Sequence, residues 1–173
     1  MHILAIETTG KHASVALLDK DARAVEKNGN EELNHLKELV PMIYELLKEN
    51  GVKKEDLTGI AVSVGPGSFT GIRIGTVTAK TMAQALKLPV VAVGSLTAFL
   101  HQEREAGLIC PIINARRNQV YGAIFDRGEY NASVLLKPGM YKLDDIIDAI
   151  KEKAFAPVKF YGAGIDAYGD ILR

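Results

Sequence analysis

Apolar and polar positions follow two rhythms along the chain. Residues 2–7 (HILAIE) and 12–19 (HASVALLD) are short aliphatic runs that read as strands, joined by the turn Thr9-Gly10-Lys11. Residues 23–27 form a weaker third strand that ends at the turn cluster Asn28-Gly29-Asn30. Over 33–50 the rhythm becomes helical. Leu33, Leu36, Val40, Ile43 and Leu47 recur at spacings of three and four and mark the core face of a helix. Gly51 suits its C-terminal cap, and Pro41 predicts a bend or a later start. A buried strand (59–64), a glycine loop (65–71, GPGSFTG), a helix (72–88) stopped by Pro89, a strand (90–93) and a short helix (95–102) follow.

The pattern then restarts. Strands at 108–114 and 119–126 pair around the turn-prone 115–118, a third strand is predicted over 133–137, and an amphipathic helix over 143–153. A strand at 158–161 runs into Gly162-Ala163-Gly164. Strand-strand-strand-helix-strand thus occurs twice. A duplicated three-strand meander with crossover helices is the α/β layout of the actin, sugar-kinase and Hsp70 class (the ASKHA fold), built from two ribonuclease-H-like lobes. The expected lobes are 1–105 and 106–173. The first repeat goes on to a further helix and strand, whereas the second stops at Arg173, so the second lobe is expected to be incomplete.

Composition narrows the classes. The 173 residues are 47% hydrophobic and carry 21 Lys+Arg against 21 Asp+Glu. A net charge of zero argues against a chain that grips nucleic acid by itself. Cys110 is the single cysteine, so no internal disulfide forms. The first nine residues lack a basic leader and a cleavage site, and no run approaches the roughly 20 apolar residues of a membrane span. A cytoplasmic, membrane-free protein is expected.

The loop 65–71 is the most informative stretch. Three glycines between a strand and a helix suit either backbone amides aimed at a phosphate or a tight turn with a helix cap. Gly65-x-Gly67-x-x-x-Gly71 has one residue too many for the dinucleotide fingerprint. No Gly-Lys-Ser/Thr follows for a P-loop, and Ser68 is not in a Gly-x-Ser-x-Gly elbow. His2, His12, His35 and His101 lie in separate elements without ligand spacing, which reads as structural.

VSVGPGSFTGIRIGTVTAK (62–80), with ILAIETT (3–9), PVVAVGSLTAF (89–99) and NARRNQVYGAIFD (114–126), resembles the TsaB (YeaZ) family over nearly the whole chain. That family is paralogous to TsaD, the catalytic subunit that makes threonylcarbamoyladenosine next to the tRNA anticodon. The resemblance implies an ASKHA fold and a supporting, non-enzymatic role. It also implies pairing with TsaD and TsaE, a homodimer when alone, tRNA met only through the complex, and no cofactor. TsaD carries a His-x-x-x-His metal pair, and the matching positions here are Ser95 and Phe99, which cannot replace two imidazoles. Glu7, Thr8, Thr9, Gly65, Gly67 and Ser68 are retained where the fold class holds phosphate, and predict at most weak, vestigial nucleotide binding. The second lobe offers Asn114-Ala115-Arg116-Arg117 there, with neither carboxylate nor glycine to organise magnesium. The Arg116–Arg117 pair matches the family, although adjacent cations also suit a solvated hairpin tip. A stand-alone ASKHA ATPase or phosphotransferase and an M22-like peptidase are the rival readings.

The two long helices suggest a partner. Arg73, Lys80, Gln84 and Lys87 form one narrow polar stripe, whereas Gly75, Ala79 and Ala83 recur every four residues, which permits a close helix contact. His35, Leu39, Met42 and Leu46 form a second, coiled-coil-like seam beside the core face of the first helix. His35, Leu39, Met42, Leu46, Phe69, Arg73, Gly75, Val77 and Lys80 are therefore the expected partner interface. The alternative is that both helices pack within the chain.

Overall fold

The computed structural model describes residues 1–30, 34–101, 105–128, 131–153 and 157–172, which divide into two compact units, Met1–Ser95 and Leu96–Arg173. In the first, β1 (His2–Glu7), β2 (Ser14–Leu18) and β3 (Ala24–Asn28) form an antiparallel meander. Helix α1 (His35–Glu49) crosses to β4 (Leu57–Ser63), parallel to β1, and α2 (Phe69–Leu86) to β5 (Val90–Val93), parallel to β4. The sheet order is β3-β2-β1-β4-β5. Alternation on β1 and β2 places Leu4, Ile6, Val15 and Leu17 on the buried face, where they meet Ile60 and Val62 of β4.

The second unit repeats the plan. The meander β6 (Gly107–Arg116), β7 (Gln119–Arg127) and β8 (Ala132–Lys142) leads through helix α4 (Leu143–Lys153) to β9 (Val158–Tyr161), parallel to β6, in the order β8-β7-β6-β9. Cys110, Ile112, Val120, Ile124 and Ile146 form its core. The short helix α3 (Ser95–Ala98) brings Leu96 against Ala123 and Phe125, so the division falls after Ser95. A last helical turn, α5, spans Ile165–Tyr168. Two sheets sharing the 3-2-1-4 order are the ribonuclease-H-like duplication of the ASKHA fold. Among the described residues, no helix is long and apolar enough to cross a membrane.

Several boundaries differ from the sequence pattern for local reasons. Helix α2 starts at Phe69, not 72, because the Ser68 hydroxyl accepts the Gly71 N–H at 3.2 Å and caps the added turn. Strand β8 runs through Pro138 and Gly139 to Lys142, since at a sheet edge the missing proline N–H breaks no ladder. Helix α1 is continuous across Pro41, so its start is not delayed, and Leu33 lies outside the described residues.

The larger correction concerns which helix faces are inside. His35, Leu39, Met42 and Leu46, expected to meet a partner, are buried in the core of their own unit, whereas Leu36 and Val40, expected in the core, are exposed. Both sets obey helical spacing and share an edge at Ile43 and Leu47, and the sheet selects the arc centred on Leu39 and Leu46. Gly75 is also not available to a partner. With Gly71, Ala79 and Ala83 it forms the buried stripe of α2, and a Cβ on Gly75 would run into the hydroxyl of Thr8.

Candidate functional site

The turn after β1 and the loop 65–68, which hold the residues expected to bind nucleotide weakly (Glu7, Thr8, Thr9, Gly65, Gly67 and Ser68), are brought together. Their polar groups face one another. Thr8 Oγ1 donates to the Gly71 carbonyl at 2.7 Å, and Ser68 N–H donates to the Thr9 carbonyl at 2.8 Å. The Thr9 N–H donates to Glu7 Oε1. The glycines permit this closeness. A Cβ on Gly67 would lie 2.5 Å from the Thr9 carbonyl oxygen, and one on Gly71 would overlap that of Thr8. Gly65 adopts a left-handed φ of 93°. The loop amide of Ser68 and both threonine side chains are thus engaged by the chain itself.

Ser95 extends this knot. Its N–H donates to the Gly65 carbonyl at 2.8 Å, and its hydroxyl lies 2.9 Å from Ser63 Oγ and 3.1 Å from Thr9 Oγ1. The hydroxyl chain Ser63–Ser95–Thr9 is buried, and the sequence pattern gave no hint of it. Phe99 stacks on Tyr161 with ring centroids 6.1 Å apart. The two positions that match a metal-binding His pair hold a hydroxyl in a hydrogen-bonded chain and a stacked ring, a donor set that does not fit a transition metal. Among the described residues, no group of three or more His, Cys, Asp or Glu side chains is arranged to hold a metal. Ser68 Oγ accepts from a helix amide, the role of a cap.

The second feature is the outer surface of α1 and α2. Helix α1 lies over β2 and β3, α2 lies over β1, β4 and β5, and the two helices touch. Leu36 (77% exposed), Val40 and Tyr44 (63%) form an outward stripe on α1 at four-residue spacing. Phe69 (69%) and Val77 are exposed on α2, along with Arg73 and Lys80. The Arg73 guanidinium sits 4.3 Å from the Phe69 ring centroid, a cation–π contact that holds both side chains in place. Of the expected interface, Phe69, Arg73, Val77 and Lys80 are therefore at the surface and His35, Leu39, Met42, Leu46 and Gly75 are not. The outward stripe thus combines Leu36 and Val40, which the sequence pattern assigns to the core face, with Tyr44, which it does not single out. His35 Nε2 lies 3.1 Å from the Gly10 carbonyl and fastens α1 to the β1–β2 turn.

Comparison with known proteins bears on the family and the fold. The family model described as TsaD, tRNA N6-adenosine threonylcarbamoyltransferase, matches residues 31–171. A tRNA threonylcarbamoyladenosine biosynthesis protein TsaB of Bacillus subtilis (strain 168) is 37% identical over 163 residues, covering 94% of this chain and 71% of its own length. The TsaB protein of Escherichia coli (strain K12) is 33% identical over 135 residues, covering 75% of this chain and 57% of its own. This chain thus spans between about half and seven tenths of these relatives. In structure, an uncharacterized protein from Pseudomonas aeruginosa, described as similar to peptidase YEAZ, superposes with a TM-score of 0.80 at 28% identity, covering 98% of this chain and 78% of that one.

Proposed function

Because the chain belongs to the TsaB family of tRNA threonylcarbamoyladenosine biosynthesis proteins, we propose that it is a non-catalytic subunit that pairs with the TsaD transferase through the outer faces of α1 and α2. Its task is to support the active site of that partner in the cytoplasm, with TsaE as a third component. The observation that carries this reading is the exposed apolar set Leu36, Val40, Tyr44, Phe69 and Val77 on two touching helices. Single exposed apolar residues are ordinary, but five on neighbouring helices, one locked under an arginine, resemble the aromatic and arginine anchors of protein interfaces. The non-catalytic part is supported by Ser95 and Phe99, where two imidazoles would be needed, and by the engagement of Thr8, Thr9 and Ser68 within the chain.

The test is co-expression with TsaD, sizing by light scattering, and assay of the tRNA modification. Leu36→Asp and Phe69→Ala are expected to abolish or strongly weaken pairing and to lower the modification, with the isolated chain still folded by circular dichroism. Undiminished co-purification of both variants would overturn the assignment.

A further inference from the structure

We infer that the tip of the β6–β7 hairpin, with the neighbouring start of α4, is a contact site for a phosphodiester of an RNA strand. Arg116, Arg117 and Asn118 all have left-handed backbone, with φ of 66°, 52° and 60°. A two-residue hairpin turn of this kind favours Asn or Gly, and arginine is a costly choice there. The conformation is held from below by Asn114, whose Oδ1 accepts the Arg116 N–H at 2.8 Å. Arg116, Arg117 and Asn118 are exposed, and so is Lys142 at the end of β8. Among the described residues, no ion pair joins Arg116, Arg117 or Lys142 to a carboxylate.

Arg117 and Lys142 line a cavity of about 540 Å³ together with Asn118, Gln119, Asp144 and Tyr168, all within the second unit. Its size suits a small organic group. The two cations suit a phosphate, Asp144 and the amides suit sugar hydroxyls or a base edge, and Tyr168 offers an aromatic wall. A single phosphodiester fits better than a magnesium-bound triphosphate. The tip has no glycine to let a triphosphate approach the backbone, and among the described residues Asp144 is the only carboxylate lining the cavity. The chain is neutral overall, so this contact is local and adds to the grip of a larger assembly. That the strand is RNA rests on the tRNA-modification reading above; the cationic rim does not.

The test measures binding of an anticodon stem-loop RNA to the full chain, alone and with TsaD, between 50 and 200 mM salt, along with pairing to TsaD in the same preparations. Arg117→Asn keeps a residue that tolerates the turn and should leave Tm unchanged or raised. It and Lys142→Gln should each weaken RNA binding about five- to tenfold and lower the salt slope by about one, with pairing intact. Lys20→Gln, an exposed cation in the first unit, should change neither. Wild-type affinity and salt slope in both variants would overturn the site. So would saturable ADP binding that Arg117→Asn removes while RNA binding persists, because the cavity would then hold a free nucleotide. If the chain fails to pair with TsaD, only the pairing reading is lost: the site is then decided on the chain alone at 50 mM salt, where a local contact is strongest, binding weakened by both variants supporting it and no detectable binding overturning it.

Discussion

Thr8 and Gly71, 63 positions apart, are joined by a hydroxyl-to-carbonyl hydrogen bond of 2.7 Å in the fully buried centre of the first unit. This contact ties the end of β1 to the first turn of α2. It works only because position 71 has no side chain. The glycine-rich loop is held by backbone contact within the chain, and the same contact orients the helix whose outer face carries Phe69 and Arg73.

Thr8→Val keeps the shape and removes the donor, leaving the Gly71 carbonyl with only its bond inside α2. We expect a loss of about 0.5–1.5 kcal/mol in denaturant unfolding. Gly71→Ala should cost more, because a methyl group there overlaps the Thr8 carbonyl and α2 must move. Equal, small effects from both variants would show that the two segments are not in this contact.

Leu39 and Leu36 are three residues apart on α1 and should respond oppositely to the same substitution. Leu39 is 1% exposed, so Leu39→Asp places a carboxylate in the core and should cost at least about 4 kcal/mol, unfolding the first unit. Leu36→Asp should stay within about 0.5 kcal/mol of the parent while weakening partner binding. Thermal melts of the two variants, set beside pairing assays, check the assignment of the inner and outer faces.

At the interface itself, Phe69→Ala is expected to cost about 2 kcal/mol in pairing, roughly a thirtyfold rise in Kd, because it removes an aromatic anchor and frees Arg73. Lys80→Ala, without such a contact, should change affinity little and act through the association rate and its salt dependence. Surface plasmon resonance at two salt concentrations separates these effects.

Burial pushes the Cys110 thiol up from its ordinary value of 9.0 to about 12. The folded chain therefore holds this proton more tightly than the unfolded chain. The associated stability is complete below pH 9 and is lost progressively as pH rises from 9 toward 12. Native protein should resist alkylation by iodoacetamide at pH 8 and react once unfolded. Cys110→Ala should flatten the alkaline fall in stability, and an unchanged slope would place the thiol elsewhere.

Much of the architecture was legible in the chain. Period-two runs at Leu4–Ile6 and Val15–Leu17 identified strands, and the doubled order of elements identified the fold, because each buried face must carry its own repeat. Glu7, Thr8, Thr9, Gly65, Gly67 and Ser68, expected as a weak nucleotide site, lie together because a loop after one strand and a loop after its parallel neighbour emerge at the same sheet end.

The residues by themselves determined which positions share a face, where turns fall and which positions lack metal-binding side chains. Only the tertiary structure decided which shared face points inward. Leu36–Val40 and Leu39–Leu46 satisfy helical spacing equally, so the choice between them depends on how the sheet meets the helix. The small-residue stripe from Gly75 to Ala83 likewise became a seat on β1 and β4 instead of a partner groove. Spacing along a chain defines neighbours on one element, whereas burial depends on surfaces supplied by segments distant in sequence.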